Sequence, residues 1–360
     1  MKPTIGIAGA GLLGRIMSLR LAGQGHAIDL FDADRASAEQ SCTYTGAGML
    51  APFCELEHAP AEIATLGADS VPRWQHLLKE LGLDVYLQGE GSLVVAHTND
   101  RTNLDHLQRK AEKFTEAETG MQVCHTADIR ALEPGLEDRF ARGLYFPHEG
   151  HISNRDLLEK TGDALRASPG VTWLTQTPIR HVQAHQIDFA NGQSRSYDWV
   201  IDCRGLGAKS DLPELRGVRG ELVYVESREV QLNRPVRLMH PRYPLYIVPR
   251  PDHRFVIGAT QLESEDRGPV SVRSMLELLS AAYAVHPAFG EARIIQCAAD
   301  ARPAFPDNLP RILHGDGLIR INGLFRHGFL LTPVLTQAVS EILTGKIVQQ
   351  LPDPIVQCVS

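Results

Sequence analysis

The stretch best equipped for chemistry lies near the start of the chain. Gly9-Ala10-Gly11-Leu12-Leu13-Gly14 is a GxGxxG turn directly after the apolar run Thr4 to Ala8, and Asp32 closes the next apolar run. That pattern suits a dinucleotide. Gly9 permits a tight turn, Gly11 has no Cβ and lets a pyrophosphate approach the backbone, and Gly14 lets the following helix lie close to the strand. Amides in the first turn of that helix then face the phosphates. Asp32, about 20 residues on, is placed to accept hydrogen bonds from both ribose hydroxyls. Its charge would repel a 2′-phosphate, which argues against NADP and leaves NAD and FAD.

A second such stretch precedes the last apolar helix. Thr332 reads as its N-cap, Pro333 as its first residue and Gly345 as its terminating glycine, with Leu335 to Leu343 amphipathic between them. The glycine-flanked loop Gly323-Leu324-Phe325-Arg326-His327-Gly328-Phe329-Leu330-Leu331 feeds the positive end of this helix. A helix N-terminus stabilises negative charge by about 0.3 to 1 kcal/mol when exposed and by more when partly buried. The charge on N1 and the C2 carbonyl of a reduced flavin is of that kind.

The elements that must position these stretches follow from periodicity. A helix with Leu13, Ile16, Met17 and Leu21 on one side ends at Gly23 and Gly25, and His26 to Phe31 forms the second strand. Ser41 to Pro52, rich in small residues and hydroxyls, suits a backbone lying close to a flat ligand. Residues 60 to 81 read as one helix with Trp74, Leu77, Leu78 and Leu81 on its inner face, and Asn154 to Ala167 as another. Trp199 to Cys203 reads as a further buried parallel strand, ending near the cofactor at Gly205 and Gly207. Glu221 to Val225, Leu245 to Pro249 and Phe255 to Gly258 predict an antiparallel sheet. Leu318 to Asn322 then returns to the first sheet.

The fold class expected is therefore α/β: a discontinuous Rossmann-like FAD-binding domain with a second, substrate domain of antiparallel β-sheet plus helices. Residues 1-85, 141-216 and 311-360 are assigned to the FAD-binding domain, and 86-140 and 217-310 to the substrate domain. The length of 360 residues accommodates two domains.

Composition narrows the partners. A hydrophobic content of 43%, a charged content of 22% and a net charge of -7 describe an ordinary globular protein with no basic groove for nucleic acid. Six scattered cysteines, Cys42, Cys54, Cys124, Cys203, Cys297 and Cys358, form no CxxC and read as free thiols of a cytoplasmic protein. His148 and His151 lack further ligands nearby, so no metal is expected. No run reaches the roughly 18 apolar residues of a membrane span.

Taken in order, these residues resemble the D-amino-acid oxidase superfamily of FAD enzymes, most closely its glycine oxidase and sarcosine oxidase branch. The likeness covers nearly the whole chain. Gly9 to Gly14 and Asp32 are similar to the elements that hold the FAD pyrophosphate and ribose, and Thr43 with Ala47-Gly48-Met49-Leu50 to the segment along the flavin. Thr177-Pro178-Ile179-Arg180-His181-Val182 is similar to the strand whose Val182 backbone holds the adenine side. Arg219-Gly220-Glu221, Leu245-Tyr246-Ile247-Val248-Pro249-Arg250 and Val256-Ile257-Gly258-Ala259-Thr260 match other family strands.

The resemblance implies non-covalent FAD, contacted also by Gly205, Arg302, Arg326, His327, Gly328, Phe329 and Leu330. It implies that Arg302 grips a substrate carboxylate with two parallel hydrogen bonds, assisted by Tyr246 and Arg326, in a pocket bordered by Met49 and Gln261. Three departures stand out: Leu324 where the family often has histidine, Asn154 for a common proline, and Arg204 before Gly205, which belongs on an FAD phosphate or at the surface. The reaction implied is oxidation of the C–N bond of a small amino acid or amine, with hydride passing from Cα to flavin N5. Oxygen or another acceptor would restore the flavin, and a homo-oligomer is left open. The alternatives are a dehydrogenase passing electrons to a non-oxygen acceptor, a flavin-binding subunit without turnover of its own, and, less well matched, an NAD-dependent dehydrogenase.

Overall fold

A computed structural model describes residues 2–57, 59–240, 244–346, 348 and 351–358. Five apolar runs far apart in sequence lie side by side in the order Val171–Leu174, Ala27–Phe31, Thr4–Ala8, Trp199–Asp202 and Leu318–Asn322, each neighbouring pair parallel. Strands covered on both faces need apolar side chains in both directions, which is why they read as continuous rather than alternating runs. Ile5, Ile7, Val200 and Ile201 are accordingly fully buried. Arg311–Gly315 pairs antiparallel with Leu318–Asn322, and Val356–Cys358 completes seven strands among the described residues.

Three helices, Leu12–Gly23, Asn154–Ala167 and Gly328–Leu343, cover one face of this sheet. Met17 and Leu21 of Leu12–Gly23 share a core with Ile5 and Ile7 of the sheet and with Leu335 and Val339 of Gly328–Leu343. On the other face sits a small antiparallel sheet, Ile179–Gln183, Gln186–Phe189 and Ser194–Ser196. Its Val182, Ile187 and Phe189 pack on Ala8, Phe31 and Val200.

The second large sheet has eight strands, in the order Arg293–Ala304, Arg216–Glu226, Arg254–Gly258, Leu245–Arg250, Val236–Met239, Ser92–Ala96, Arg142–Phe146 and Gln122–His125. Its pairs are antiparallel except for Val236–Met239 with Ser92–Ala96. Arg142–Phe146 lies within the segment 141-216 assigned to the FAD-binding domain, yet it belongs to this second sheet. Leu144 and Phe146 explain the placement, because they share a core with Val94 and Phe53.

Two helices depart from the sequence reading. The helix expected over 60 to 81 is two, Ala61–Gly67 and Ser70–Glu80. The break comes where Leu330 presses in, so close that a Cβ on Gly67 would collide with its side chain.

The closing helix starts at Gly328, with His327 at its N-cap, not at Thr332. Pro333 therefore lies inside it, and its missing N–H should orphan the carbonyl four residues back. That carbonyl belongs to Phe329 and accepts instead from the indole Nε1–H of buried Trp74 at 2.7 Å. The Thr332 hydroxyl donates back to the Gly328 carbonyl at 2.7 Å, so it caps nothing. No helix among the described residues is long and apolar enough to cross a membrane.

Candidate active site

The glycine turn separates two roles. At Gly9, with φ of +98°, a Cβ would stand 2.7 Å from the Cys203 carbonyl oxygen, and at Gly14 it would collide with the Gly9 carbonyl. Packing of the protein against itself accounts for both glycines. Gly11 is different. A Cβ there would meet nothing nearer than Thr43 Oγ1 at 3.9 Å, and its φ of -72° suits any residue. The glycine is superfluous to the fold and fits a ligand that must come close to the backbone, as an FAD pyrophosphate does. Thr43 Oγ1 accepts from the Leu12 N–H at 3.1 Å, and the Asp32 carboxylate accepts from the amides of Ala10 and Asp34.

A cleft of about 320 Å³ runs from this turn to the second sheet. Of the residues singled out from sequence, it is lined by Gly9, Gly11, Leu12, Leu13, Asp32, Thr43, Ala47, Gly48, Met49, Gly205, Tyr246, Arg302, Arg326, Gly328 and Phe329. Ala10, Gly14, Val182, Gln261, His327 and Leu330 are not in its wall. Gly14 packs on Gly9, and Leu330 is in the core. The Val182 main chain is engaged on both sides, its N–H donating to Asp211 at 3.3 Å and its carbonyl accepting from Arg320 at 2.6 Å.

Arg302 stands opposite Val218 in the antiparallel pair Arg293–Ala304 and Arg216–Glu226, and its guanidinium lies over the neighbouring Gly220. A Cβ on Gly220 would collide with it. The polar contact recorded for the group is Nη1 to the Thr260 carbonyl at 3.4 Å, and no carboxylate among the described residues pairs with it. Burial lowers its pKa, with the charge of Arg326 adding to the effect and that of Glu55 opposing it, so the wall of the cleft carries a guanidinium with no carboxylate paired to it. Tyr246 faces Gly258 across the next strand pair, and burial pushes its phenol up to about 12, so the hydroxyl remains a donor.

Arg326 is held differently. Its Nη2 donates to Glu55 Oε1 at 2.7 Å and its Nη1 to Gln261 Oε1 at 3.2 Å. The loop carrying it has Phe325 at φ of +48°, an uncommon conformation for a bulky side chain, fixed by the Phe325 N–H donating to the Pro303 carbonyl at 2.9 Å. His327 is buried behind the loop, and burial pushes its pKa down to about 4, so it is neutral.

Arg204 is not at the surface: it lines the cleft beside Gly205, with most of its side chain buried. Its guanidinium forms an ion pair with Asp202 at 2.7 Å and another with Asp211, all three side chains at most 7% exposed. Asp211 also contacts His181, so the network ties the small sheet to the loop bearing Gly205. Asn154 donates to the carbonyls of Thr43 and Tyr44 at 3.0 and 2.8 Å, fixing the segment that lines the cleft.

Sequence reasoning missed Glu55, Gly220 as the seat of Arg302, and Cys42. Cys42 Sγ donates to the Ala301 carbonyl at 3.0 Å, and burial raises its pKa, so it is an unreactive thiol of the wall. Arg219, quoted with Gly220 as a motif, is consumed by Glu221 and the carbonyls of Gly268 and Pro269. Among the described residues no group of three histidine, cysteine or acidic side chains could hold a metal.

A model of the FAD dependent oxidoreductase family, DAO, matches residues 4–342. The chain is 40% identical over 337 residues to a Rhizobium etli protein named putative thiamine biosynthesis oxidoreductase ThiO, covering 94% of this chain and 95% of that one. It is 25% identical over 363 residues to a glycine oxidase of Geobacillus kaustophilus, covering 95% and 93%. The crystal structure of glycine oxidase from Geobacillus kaustophilus matches with a TM-score of 0.83 over 96% of this chain and 95% of that one.

Proposed function

This chain belongs to the DAO family of FAD-dependent oxidoreductases, and on that premise we propose that it oxidises the C–N bond of a small amino acid, glycine being the first candidate. One observation carries the reading: Arg302, a partly buried cation with no carboxylate partner among the described residues, lines the same cleft as the glycine turn. A planar guanidinium there matches a substrate carboxylate with two parallel hydrogen bonds. The names of the relatives, a glycine oxidase and a thiamine biosynthesis oxidoreductase, support a substrate of this class.

FAD, when bound, supplies the two-electron acceptor; the turn at Gly9, Gly11 and Leu12 with Asp32 would hold its pyrophosphate and ribose. The chain's own side chains orient the substrate. Arg302 takes the carboxylate, and the un-ionised Tyr246 hydroxyl donates to it. Fixing one end of so small a molecule fixes its Cα, and orientation of this kind can supply several kcal/mol of the barrier. The amine must be neutral to release the Cα hydrogen with its electron pair. A cation in the wall favours the neutral form of a nearby amine. Loss of two electrons and two protons from glycine gives the imine, which water converts to glyoxylate and ammonia.

Anaerobic addition of glycine, sarcosine and D-alanine to the purified yellow protein tests this directly. Bleaching of the flavin absorbance by at least one of them is expected, with a far higher concentration required after Arg302→Ala. A wild-type protein that no monocarboxylic amine bleaches overturns the reading. Oxygen uptake during turnover assigns the acceptor: uptake matched to substrate marks an oxidase, bleaching without uptake a dehydrogenase.

A further inference from the structure

Two guanidinium groups line one cleft, and they are in opposite states. Arg302 has no carboxylate partner, whereas Arg326 is taken by Glu55 at 2.7 Å and by Gln261 at 3.2 Å. Glu55 also lines the cleft and is only 8% exposed, on a loop that no sequence pattern connected with residue 326. The charge of Arg326 contributes to the lowered pKa of Arg302 and that of Glu55 opposes it, so the three belong to one electrostatic neighbourhood. Burial works against ionisation of Glu55, yet Arg326 and Arg237 hold its carboxyl below the ordinary range, so it is a carboxylate at neutral pH.

We propose that Glu55 is a specificity-determining residue: by occupying Arg326 it restricts this enzyme to amines bearing a single carboxylate. The inference rests on the amino-acid reading above. A substrate with one carboxylate needs only Arg302. A diacid whose nitrogen carries a carboxymethyl group on each side has a second carboxylate to place. Near Arg326 that group meets Glu55 already seated. Two carboxylates competing for one guanidinium in a partly desolvated wall repel each other, which disfavours the diacid. With Glu55 made neutral, the same guanidinium becomes a second anion site. A charge-assisted hydrogen bond contributes about 1.5 to 3 kcal/mol, or about 10- to 150-fold in affinity.

The test compares sarcosine with iminodiacetate, secondary amines that differ by one carboxylate on the second N-substituent. Apparent Kd values come from the concentration dependence of anaerobic flavin bleaching in the FAD-loaded protein. The wild type should favour sarcosine strongly. Glu55→Gln should shift the ratio toward iminodiacetate by at least about 10-fold, and Glu55→Ala provides the same comparison should the glutamine variant fail to retain FAD. Adding Arg326→Gln should abolish the shift, which separates a second anion site from mere widening of the pocket. A wild type that takes both amines equally, an unchanged ratio in the variants, or a shift that survives loss of Arg326 each overturns the proposal. A wild type bleached by glycine while the ratio stays fixed overturns only this inference, whereas one bleached by no carboxylic amine overturns the proposed function with it.

Discussion

Arg302 rests over Gly220 on the adjacent antiparallel strand, in the space that any larger residue at 220 would fill. The missing side chain on one strand thus determines where the cation of the other lies. Gly220→Ala should displace the guanidinium while leaving the FAD turn intact. The expected result is at least a 10-fold rise in KM for the amino acid, with flavin content and absorbance retained. Arg302→Ala should cost about 100-fold or more in kcat/KM, the order expected for a bidentate charge-assisted pair. Saturation by acetate unchanged in either variant would remove Arg302 from its role.

Gly11 and Gly14 should fail in different ways. Gly14→Ala forces a Cβ against the Gly9 carbonyl, so the variant should be destabilised by about 1 to 3 kcal/mol even without cofactor. Gly11→Ala meets open space in the protein, so urea unfolding of the apoprotein should match wild type within about 0.5 kcal/mol. Its affinity for FAD, measured by quenching of flavin fluorescence, should nevertheless fall at least 10-fold. An apoprotein damaged equally by both changes would contradict the distinction.

Glu149 makes stability depend on pH. It is fully buried, accepts from the amides of Phe53 and Cys54 at 2.7 and 2.8 Å, and is pushed up by burial to about 7 from an ordinary 4.5. Between those values the native protein keeps a proton that the unfolded chain has released. Its contribution to stability is therefore complete below about pH 4.5 and is lost as pH rises to about 7. The loss is on the order of 3 kcal/mol. Urea unfolding at pH 5 and pH 8 should show wild type losing more stability than Glu149→Gln, which cannot ionise. Equal losses would place the carboxyl's titration elsewhere.

Trp74 should matter beyond its bulk. Trp74→Phe keeps most of the ring but leaves the Phe329 carbonyl, already deprived of the amide at Pro333, without its donor. A cost of about 1 to 3 kcal/mol in unfolding free energy is expected. Pro333→Ala in the same background should return part of it, since an alanine supplies the missing N–H. Failure of that rescue would separate the indole from the helix's hydrogen-bond ladder.

The same residues mark where sequence reading works and where it stops. Gly9, Gly14 and Asp32 were legible because their roles are local: a turn, a close helix and a strand end lie within one supersecondary unit. The strands Thr4–Ala8 and Trp199–Asp202 were legible because double burial requires uninterrupted apolar runs. Thr332 and Pro333 misled for the opposite reason. They carry the local preferences of a helix start, and a tertiary hydrogen bond from Trp74 overrides them by satisfying the carbonyl that proline strands. Glu55 had no signal at all. Its pairing with Arg326 joins two irregular segments at opposite ends of the sequence, and no periodicity or spacing rule reports such a contact. Arg204 was noticed as unusual, but its two buried acids could be identified only once the fold brought Asp211 to it.

The seven-stranded sheet also imposes an order of assembly. Its strand Thr4–Ala8 is made well before the strand Leu318–Asn322 and the helix Gly328–Leu343 that closes the cleft. Segments far apart in the sequence must meet before the cleft that would take a dinucleotide is walled on both sides. Cofactor loading consequently waits for these later segments, and until then the nascent sheet presents an unpaired apolar edge, the state in which chaperone capture or aggregation competes with folding.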